Sequence, residues 1–260
     1  MEKLSKWALI LGGSSGLGLA TAKKLAKEGF HLLLVHRDRR SDLEAIANAF
    51  QEITAKSSML HSFNVDATNA LKRDTLIQEI SAIIKGEKID VLVHSIAKGN
   101  LKPMAAENDI TLGNQDFHLT IDAMAISLYD WVNALEQKKL LAEDTRVISF
   151  TSEGNSKAWS NYAAVSAAKV ALEAITRNIA LEYAAVGIRA NCIQAGVTDT
   201  RSLNMIPNNE LLKQQSIQRN PNKRLTTPED VANAVYLLTM DEAKWITGTV
   251  IKVDGGESLC

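Results

Sequence analysis

The sequence has few of the residues that hold disulfide-stapled or metal-binding proteins together. Its 260 residues include two cysteines and five histidines. Cys192 and Cys260 form neither a CxxC pair nor a disulfide framework, so we interpret them as one packed thiol and one terminal thiol. The histidines show no metal-ligand spacing. The sequence therefore predicts no metal site and no disulfide scaffold.

An excess of charge and a long apolar run are also lacking. Lys and Arg total 29 against 30 Asp and Glu, so no global charge favours nucleic acid or an anionic membrane as partner. The run "WALIL" that follows "MEKLSK" is too short for a signal sequence, and nothing approaches the roughly 18 apolar residues of a membrane span. We therefore expect a cytoplasmic protein with no nucleic-acid and no membrane partner.

What the sequence does have is a regular alternation of two patterns. Short runs rich in Val, Ile and Leu, without polar alternation, are typical of strands covered on both faces; they are 7–11, 31–35, 89–94, 145–150, 188–193, 248–253 and, more weakly, 57–63. Helical spacing occupies the stretches between them: 16–28, 41–56, 69–84, 116–138, 161–185 and 228–239. The fold class predicted is α/β, a single-domain Rossmann fold over 1–260. Its doubly wound parallel sheet has about seven strands, with helices on both faces.

One segment interrupts the alternation. Three of the four prolines, Pro207, Pro221 and Pro228, fall in or beside the polar run "PNNELLKQQSIQRNPNKR". We predict an excursion from the sheet at about 197–227 that covers a substrate. Its apolar residues either close over that substrate or pin the segment to the body; they are Leu203, Met205, Ile206, Leu211 and Leu212.

The loop after the first predicted strand is rich in glycine. It reads "GGSSGLG" and leads directly into an amphipathic helix. Glycines let the backbone approach a pyrophosphate, which the free N–H groups of a helix N-terminus then hold. A glycine-rich turn alone is weak support, but its place between strand and helix favours a dinucleotide site. The residues predicted to bind the dinucleotide here are Gly12, Ser14, Ser15, Gly16, Leu17 and Gly18.

The loops after the next strands carry further candidates. In "VHRDRR", Arg37 and Arg39 favour a 2′-phosphate and hence NADPH over NADH, whereas Asp38 is the counter-argument, since a carboxylate suits a free ribose hydroxyl. A solvated charged turn is the alternative for these arginines. Two later loops, "NVDAT" and "HSIAKG", offer small or polar residues beside the cofactor: Asn64, Val65, Ser95, Ile96 and Ala97.

A tyrosine and a lysine stand seven residues apart in "NSKAWSNYAAVSAAKVALEAI". At about 100° per residue, spacings of four and of seven both place Tyr162 and Lys169 on one helical face. The axial separation differs, roughly 10.5 Å for seven residues against 6 Å for four. Singly, each residue has an ordinary structural explanation, and it is the pair that indicates chemistry.

Together these motifs resemble the short-chain dehydrogenase/reductase superfamily along nearly the whole chain. The resemblance rests on Gly12-x3-Gly16-x-Gly18, "NV", "HSIA", the Tyr/Lys pair, "QAGVTDT", "RLTTPEDVANAVYLL" and "ITGTVIKVDGG". Within it, the chain resembles enoyl-acyl-carrier-protein reductases, in particular the NADPH-using branch with Tyr-x6-Lys. "HSIA" replaces the common Asn-Asn-Ala-Gly, and Asp122 stands where ordinary members carry a catalytic asparagine.

The resemblance implies roles and partners. Tyr162 would be the catalytic hydroxyl, Lys169 would hold the nicotinamide ribose, and "QAGVTDT" would contribute Gly196, Thr198 and Thr200 to the cofactor site. The resemblance also implies a homotetramer and a substrate carried on acyl carrier protein. Four basic residues of the excursion are candidates for meeting that carrier, or are simply solvated: Lys213, Arg219, Lys223 and Arg224.

The spacing of the pair bears on the reaction. In reduction of a carbonyl, hydride and proton reach the two atoms of one C=O bond; in reduction of a 2-enoyl thioester the hydride reaches C3 while charge develops on the oxygen at C1. A tyrosine further from Lys169 suits the second reaction. Together with the resemblance, which implies the pathway and the carrier, this predicts an NADPH-dependent enoyl-acyl-carrier-protein reductase of fatty acid biosynthesis. Ser152 stands where many enoyl reductases have a second tyrosine, and it supports the alternative, a 3-oxoacyl or carbonyl reductase. A non-enzymatic NADP(H) sensor would need neither Tyr162 nor Lys169.

Overall fold

The structure is a computed structural model that describes residues 6–54, 59–107 and 110–260. In these ranges seven strands form one parallel sheet in the order β3-β2-β1-β4-β5-β6-β7. The strands are β1 Trp7–Leu11, β2 His31–His36, β3 Leu60–Asn64, β4 Ile89–His94, β5 Leu141–Ser152, β6 Arg189–Ala195 and β7 Val250–Val253. The predicted fold class is confirmed.

Helices cover both faces of the sheet. They are α1 Gly16–Lys27, α2 Leu43–Thr54, α3 Ala70–Ile84, α4 Asn114–Ile121, α5 Ser127–Gln137, α6 Ala163–Glu182, α7 Arg201–Asn204, α8 Asn209–Arg219 and α9 Pro228–Thr239. Alternate residues of β1 lie on opposite faces of the sheet. Leu9 packs in the core with α3, α5 and α6, whereas Ile10 packs in the core with α1, α2 and α9. This two-sided burial explains why the strand sequences do not alternate. Among the described residues, no helix has both the length and the apolarity that crossing a bilayer requires.

Some element limits differ from the sequence-based prediction. The helix predicted for 161–185 begins at Ala163, because Asn161 adopts a left-handed φ of 63° and Tyr162 stands at the N-cap. The helix predicted for 116–138 contains a π-helical turn, Asp122–Ile126, between α4 and α5. The last residues of the predicted helix 41–56, the first of the predicted strand 57–63, and residues 1–5 of the predicted domain lie outside the described ranges.

The order of the strands places a cleft at the carboxyl ends of β1 and β4. The two strands are neighbours, but the chain leaves β1 towards β2 and leaves β4 towards β5, so their loops diverge. Such a switch point is where open α/β sheets bind ligands. The segment predicted as an excursion contains α7 and α8, and α7 lies beside this cleft.

Candidate active site

A cavity of about 640 Å³ opens at the carboxyl ends of the strands. It brings together nearly all the residues predicted for catalysis or for the cofactor. Those that line it are Tyr162, Lys169, Ser152, Gly12, Ser14, Ser15, Gly16, Leu17, Arg37, Arg39, Val65, Ser95, Ile96, Ala97, Gly196, Thr198 and Thr200. Two predicted residues, Gly18 and Asn64, do not line it. Their contacts within the chain are described below, and their part in cofactor binding stays a prediction.

The glycine loop is shaped by close backbone contacts. Gly12 has a φ of +88°, and its N–H donates to the Val35 carbonyl at 2.7 Å. A Cβ added at Gly12 would lie 2.4 Å from the Ser95 carbonyl oxygen, and one added at Gly18 would lie 2.1 Å from the Gly12 oxygen. Gly18 therefore lets α1 pack against the loop, and the first residues of α1, Gly16 and Leu17, line the cavity.

Replacing Gly18 with Ala is expected to disturb this loop. The added methyl group meets a backbone oxygen, so the loop has to shift, at a cost of about 1–3 kcal/mol. Thermal unfolding should show a lower Tm, and dinucleotide titration a weaker affinity. Gly113→Ala is the matched control, because its Cβ would find nothing nearer than 3.8 Å and its φ is −104°. The same Tm and the same dinucleotide affinity in the two variants would contradict the packing role of Gly18.

Charged side chains form the wall beyond β2 and β3. Arg37 donates to Asp66 at 2.7 Å, and Lys98 lies 3.6 Å from the same carboxylate. Asp38 lies 2.9 Å from the imidazole Nδ1 of His36. The Asn64 side chain accepts from the Asp38 N–H at 3.0 Å and donates to its carbonyl at 3.2 Å. Asn64 therefore fixes the loop after β2 through the Asp38 backbone.

Asp66 was not assigned from the sequence, although it follows the predicted Asn64-Val65 pair. Burial raises the pKa of its carboxyl, but hydrogen bonds from Thr68 and Arg37 and the charge of Lys98 outweigh burial and lower it to about 2. The carboxylate is thus charged at neutral pH. A dinucleotide phosphate at this wall would compete with Asp66 for Arg37.

Tyr162 and Ser152 meet at the other end of the cavity. Ser152 is the last residue of β5, and its Oγ lies 3.2 Å from the Tyr162 hydroxyl. Burial raises the pKa of Tyr162, so the phenol stays protonated and able to donate a hydrogen bond. Ser152 therefore lies within hydrogen-bonding reach of the phenol, and the part of each hydroxyl in a reaction stays a prediction.

Lys169 lies within α6 and is buried in the cavity wall. Its Nζ donates to the Phe150 carbonyl at 2.7 Å. Burial lowers its pKa to about 8, although the charges of Cys192 and Glu173 act in the opposite direction. The ammonium is therefore charged at neutral pH and loses its proton within the mildly alkaline range.

Apolar side chains surround the phenol. Tyr162, Met124, Val165 and Ala168 form a small core, and the Trp159 ring lies 5.1 Å from the Tyr162 ring, centroid to centroid. Leu101 and Ile206 pack against this core. Of the five apolar residues proposed for the excursion, three line the cavity, and Leu211 and Leu212 do not; the three are Leu203, Met205 and Ile206. This end of the cavity can hold an apolar group beside a hydrogen-bond donor.

His94 is a buried imidazole in the same wall. Its Nε2 lies 2.7 Å from the Ser127 hydroxyl, which donates to the Ala123 carbonyl in the π-helical turn at 2.8 Å. Burial, helped by the positive charge of Lys169, lowers the pKa of His94 to about 3. Asp122, in the same turn, is exposed and does not line the cavity. These contacts fix the π-helical turn against the end of β4, which is a structural role for His94.

His94 is expected to make the fold sensitive to acid. Its pKa is depressed in the folded state, so from pH 6.5 down towards 3 the unfolded chain binds a proton that the folded chain does not. The free energy of unfolding should fall by about 1.4 kcal/mol per pH unit from this residue alone. His94→Asn should reduce that slope in urea unfolding at several pH values. The exposed His118→Asn is the control, and a slope unchanged by His94→Asn would contradict the prediction.

Arg219, at the end of α8, joins three segments of the chain. Its guanidinium donates to Glu153, next to Ser152, and to Glu257 at 2.6 Å. Glu257 in turn accepts from the Val197 N–H at 3.1 Å. The other basic residues expected to meet a carrier also have partners within the chain: Lys213 with Asp199 and Glu210, Lys223 with the Gln218 carbonyl, and Arg224 with Asp230. A carrier that bound these residues would have to compete with these contacts, and the carrier surface stays a prediction.

The fold and the site define a class of protein. A parallel sheet with a glycine loop at its switch point, and a Tyr-Ser-Lys group in the same cavity, is the arrangement of a Rossmann-type oxidoreductase that uses a nicotinamide dinucleotide. The sequence model of a family described as "Enoyl-(Acyl carrier protein) reductase" matches residues 12–258. The chain belongs to this family, an enoyl-acyl-carrier-protein reductase-like group of the short-chain dehydrogenase/reductase superfamily, as its motifs predicted.

Individual relatives differ in the reactions their names describe. A 3-oxoacyl-[acyl-carrier-protein] reductase of Staphylococcus epidermidis is 29% identical, over 97% of this chain and 99% of its own. A 1-cyclohexenylcarbonyl-CoA reductase of Streptomyces collinus is 28% identical, over 97% and 86%. The crystal structure of the NADH-dependent enoyl-[acyl-carrier-protein] reductase of Aquifex aeolicus is 24% identical and superposes with a TM-score of 0.83, over 98% of this chain and 97% of that one. This last likeness shows the fold alone.

Proposed function

We propose that this protein is an NADPH-dependent reductase that converts trans-2-enoyl thioesters into saturated acyl thioesters. The observation that carries the proposal is the position of Tyr162, one residue before α6 begins, with Lys169 seven residues further on. A hydroxyl set apart from the lysine suits an oxygen two carbons from the site of hydride addition. The description of the family and the cyclohexenylcarbonyl-CoA reductase among the relatives support the same reaction.

The residues present fit a nicotinamide dinucleotide. A side chain at Gly12 has no room against the Ser95 carbonyl, so the glycine lets the loop pass close by, and the start of α1, Gly16 and Leu17, lines the cavity where a pyrophosphate would lie. Arg37 and Arg39 line the wall where a 2′-phosphate would lie, and Lys169 would hold the nicotinamide ribose. The dinucleotide, when bound, supplies the hydride that the reduction of C3 requires.

The chain's own groups stabilise charge on the substrate. The Tyr162 hydroxyl, kept protonated by burial, donates a hydrogen bond to the thioester oxygen on which negative charge develops. The resulting enolate then takes up a proton from solvent at C2, which completes the saturated acyl thioester. Ser152 orients that hydroxyl from 3.2 Å away. The ammonium of Lys169 adds positive potential in the same wall. The apolar side chains around Tyr162 exclude water from the acyl chain, which strengthens these interactions.

A second candidate is a 3-oxoacyl reductase. The contact between Ser152 and Tyr162 favours it, because two hydroxyls that converge at one point suit a single carbonyl oxygen. The similarity to the staphylococcal 3-oxoacyl reductase also favours it. In this case the same cavity would hold the acyl chain, but the proton and the hydride would reach one C=O bond.

The test compares two substrates of similar size. Crotonyl-CoA and acetoacetyl-CoA are each incubated with the protein and NADPH, the loss of reduced cofactor is followed by absorbance, and products are identified by mass spectrometry. We expect butyryl-CoA from the first substrate and little 3-hydroxybutyryl-CoA from the second. Reduction of acetoacetyl-CoA alone would replace the proposal by the second candidate. A comparison with NADH tests the cofactor preference in the same assay.

The carrier and the assembly are parts of the proposal that need their own measurements. We expect crotonyl thioester on acyl carrier protein to give a lower KM than crotonyl-CoA.

We also expect a homotetramer, with α4, α5 and α6 at an interface, because these helices and the turn joining α4 to α5 expose large apolar residues: Leu119, Ile126, Tyr129, Val170 and Leu181. Analytical ultracentrifugation measures the assembly, and a monomer at micromolar concentration would contradict it.

A further inference from the structure

Arg201 reaches across the mouth of the cavity. It begins α7, on the excursion side, and its Nη1 donates to Asp42 at 3.1 Å, on the β2 side, and lies 3.9 Å from Asp38. The neighbouring Thr200 has its Cγ2 3.5 Å from where a Cβ of Gly16 would be. The start of α7 therefore lies close over the glycine loop, and Arg201 bridges the two walls of the cavity.

The position of this guanidinium is suited to a phosphate. Arg201, Arg37 and Arg39 all line the adenosine end of the cavity, and Arg201 remains 62% exposed despite its carboxylate partner. An exposed ion pair with Asp42 contributes little by itself. A phosphate carries more charge than a carboxylate and accepts paired hydrogen bonds from a guanidinium, so it can displace Asp42 from Arg201.

We infer that Arg201 is a specificity-determining residue for a phosphorylated dinucleotide: it exchanges Asp42 for the 2′-phosphate and so binds that group from the wall opposite Arg37 and Arg39. This inference rests on the proposed preference for NADPH but not on the substrate that is reduced. The ion pair closes the cavity mouth in the free protein, and the phosphate takes the place of Asp42 in the bound one. The excursion and the adenosine wall are thereby joined through the cofactor.

The experiment measures binding and not turnover. Dissociation constants of NADPH and NADH are determined by calorimetry for the wild type, Arg201→Gln, Arg201→Lys and Asp42→Asn. The control is Arg224→Gln, which removes an exposed arginine that is paired with a carboxylate outside the cavity. Arg201→Gln should weaken NADPH binding about ten-fold, the size of a charge-assisted hydrogen bond, and leave NADH within about two-fold. Asp42→Asn frees the guanidinium and should strengthen NADPH binding. Arg201→Lys should recover part of the loss.

Two results would overturn the inference. If Arg201→Gln weakens the binding of NADPH and of NADH by the same factor, the residue only holds α7 in place. If it changes neither dissociation constant, the ion pair between Arg201 and Asp42 has no part in binding. Asp42→Asn distinguishes these roles further. If the ion pair only holds α7 in place, its loss should weaken the binding of both dinucleotides. A wild type that binds NADH more tightly than NADPH refutes the proposed cofactor preference, whereas failure to reduce crotonyl-CoA leaves these binding results unaffected.

Discussion

Replacing Tyr162 with Phe is expected to lower kcat for crotonyl-CoA about 100- to 1,000-fold, the usual effect of removing one donor to a developing oxyanion. The ring, and with it the packing against Trp159 and Val165, is retained, so the loss belongs to the hydroxyl. The dissociation constant of NADPH should change little, since the hydroxyl acts on the substrate. Steady-state kinetics and a dinucleotide titration on the same preparation separate the two effects.

Tyr236→Phe provides the matched control. Tyr236 lies on α9 and does not line the cavity, so its hydroxyl can be removed without affecting the reaction. Ser152→Ala should have a smaller effect than Tyr162→Phe, because Ser152 orients the phenol in our proposal. A Tyr162→Phe variant with wild-type kcat would show that another group stabilises the charge, and the mechanism would be wrong.

Replacing Lys169 with Met is expected to weaken dinucleotide binding and to lower kcat/KM by about 10- to 100-fold, since a charge-assisted hydrogen bond contributes roughly 1.5–3 kcal/mol. The Phe150 carbonyl also loses its donor, so Tm should fall. Lys252→Met, at an exposed position outside the cavity, is the control for loss of a surface charge. Dinucleotide binding unaffected by Lys169→Met would contradict the assigned role.

The pH profile tests the same lysine in a different way. With a pKa of about 8, the Lys169 ammonium is present below that pH and lost above it, so kcat/KM of the wild type should decline above pH 8. Arg keeps its proton throughout this range. Lys169→Arg should therefore be less active overall but show no such decline. A decline that persists in Lys169→Arg would assign the titration to another group.

Features that local patterns encode were predictable from the sequence. The strands follow from continuous apolar runs, and the glycine loop follows from its place between β1 and α1. The limits of the helices were less predictable. The helical spacing of α6 extends back to Asn161 and Tyr162, and only the left-handed φ of Asn161 shows that the helix begins after them. The motif alone does not show that Gly18 packs against the loop, which only the distance from its Cβ position to the Gly12 oxygen reveals.

Contacts between distant residues could not be predicted. Arg37 and Asp66 are 29 residues apart, Arg219 and Glu153 are 66 apart, and Arg201 and Asp42 are 159 apart. A charged residue in a loop is most often solvated, so nothing in its own neighbourhood distinguishes a paired arginine from a free one. Only the sheet order, which brings the loops to one edge, makes these pairs possible.

The guanidinium of Arg219 has a consequence for the size of substrate that the protein can accept. A longer or bulkier acyl group would displace Met205 and Ile206, which line the cavity just before α8, and a shift passed along α8 to Arg219 would pull on Glu153, the residue next to Ser152, and on Glu257. Substrate length and accuracy at the reacting oxygen are thereby coupled. Evolution towards larger substrates in this lineage would first have to release this helix from the serine loop.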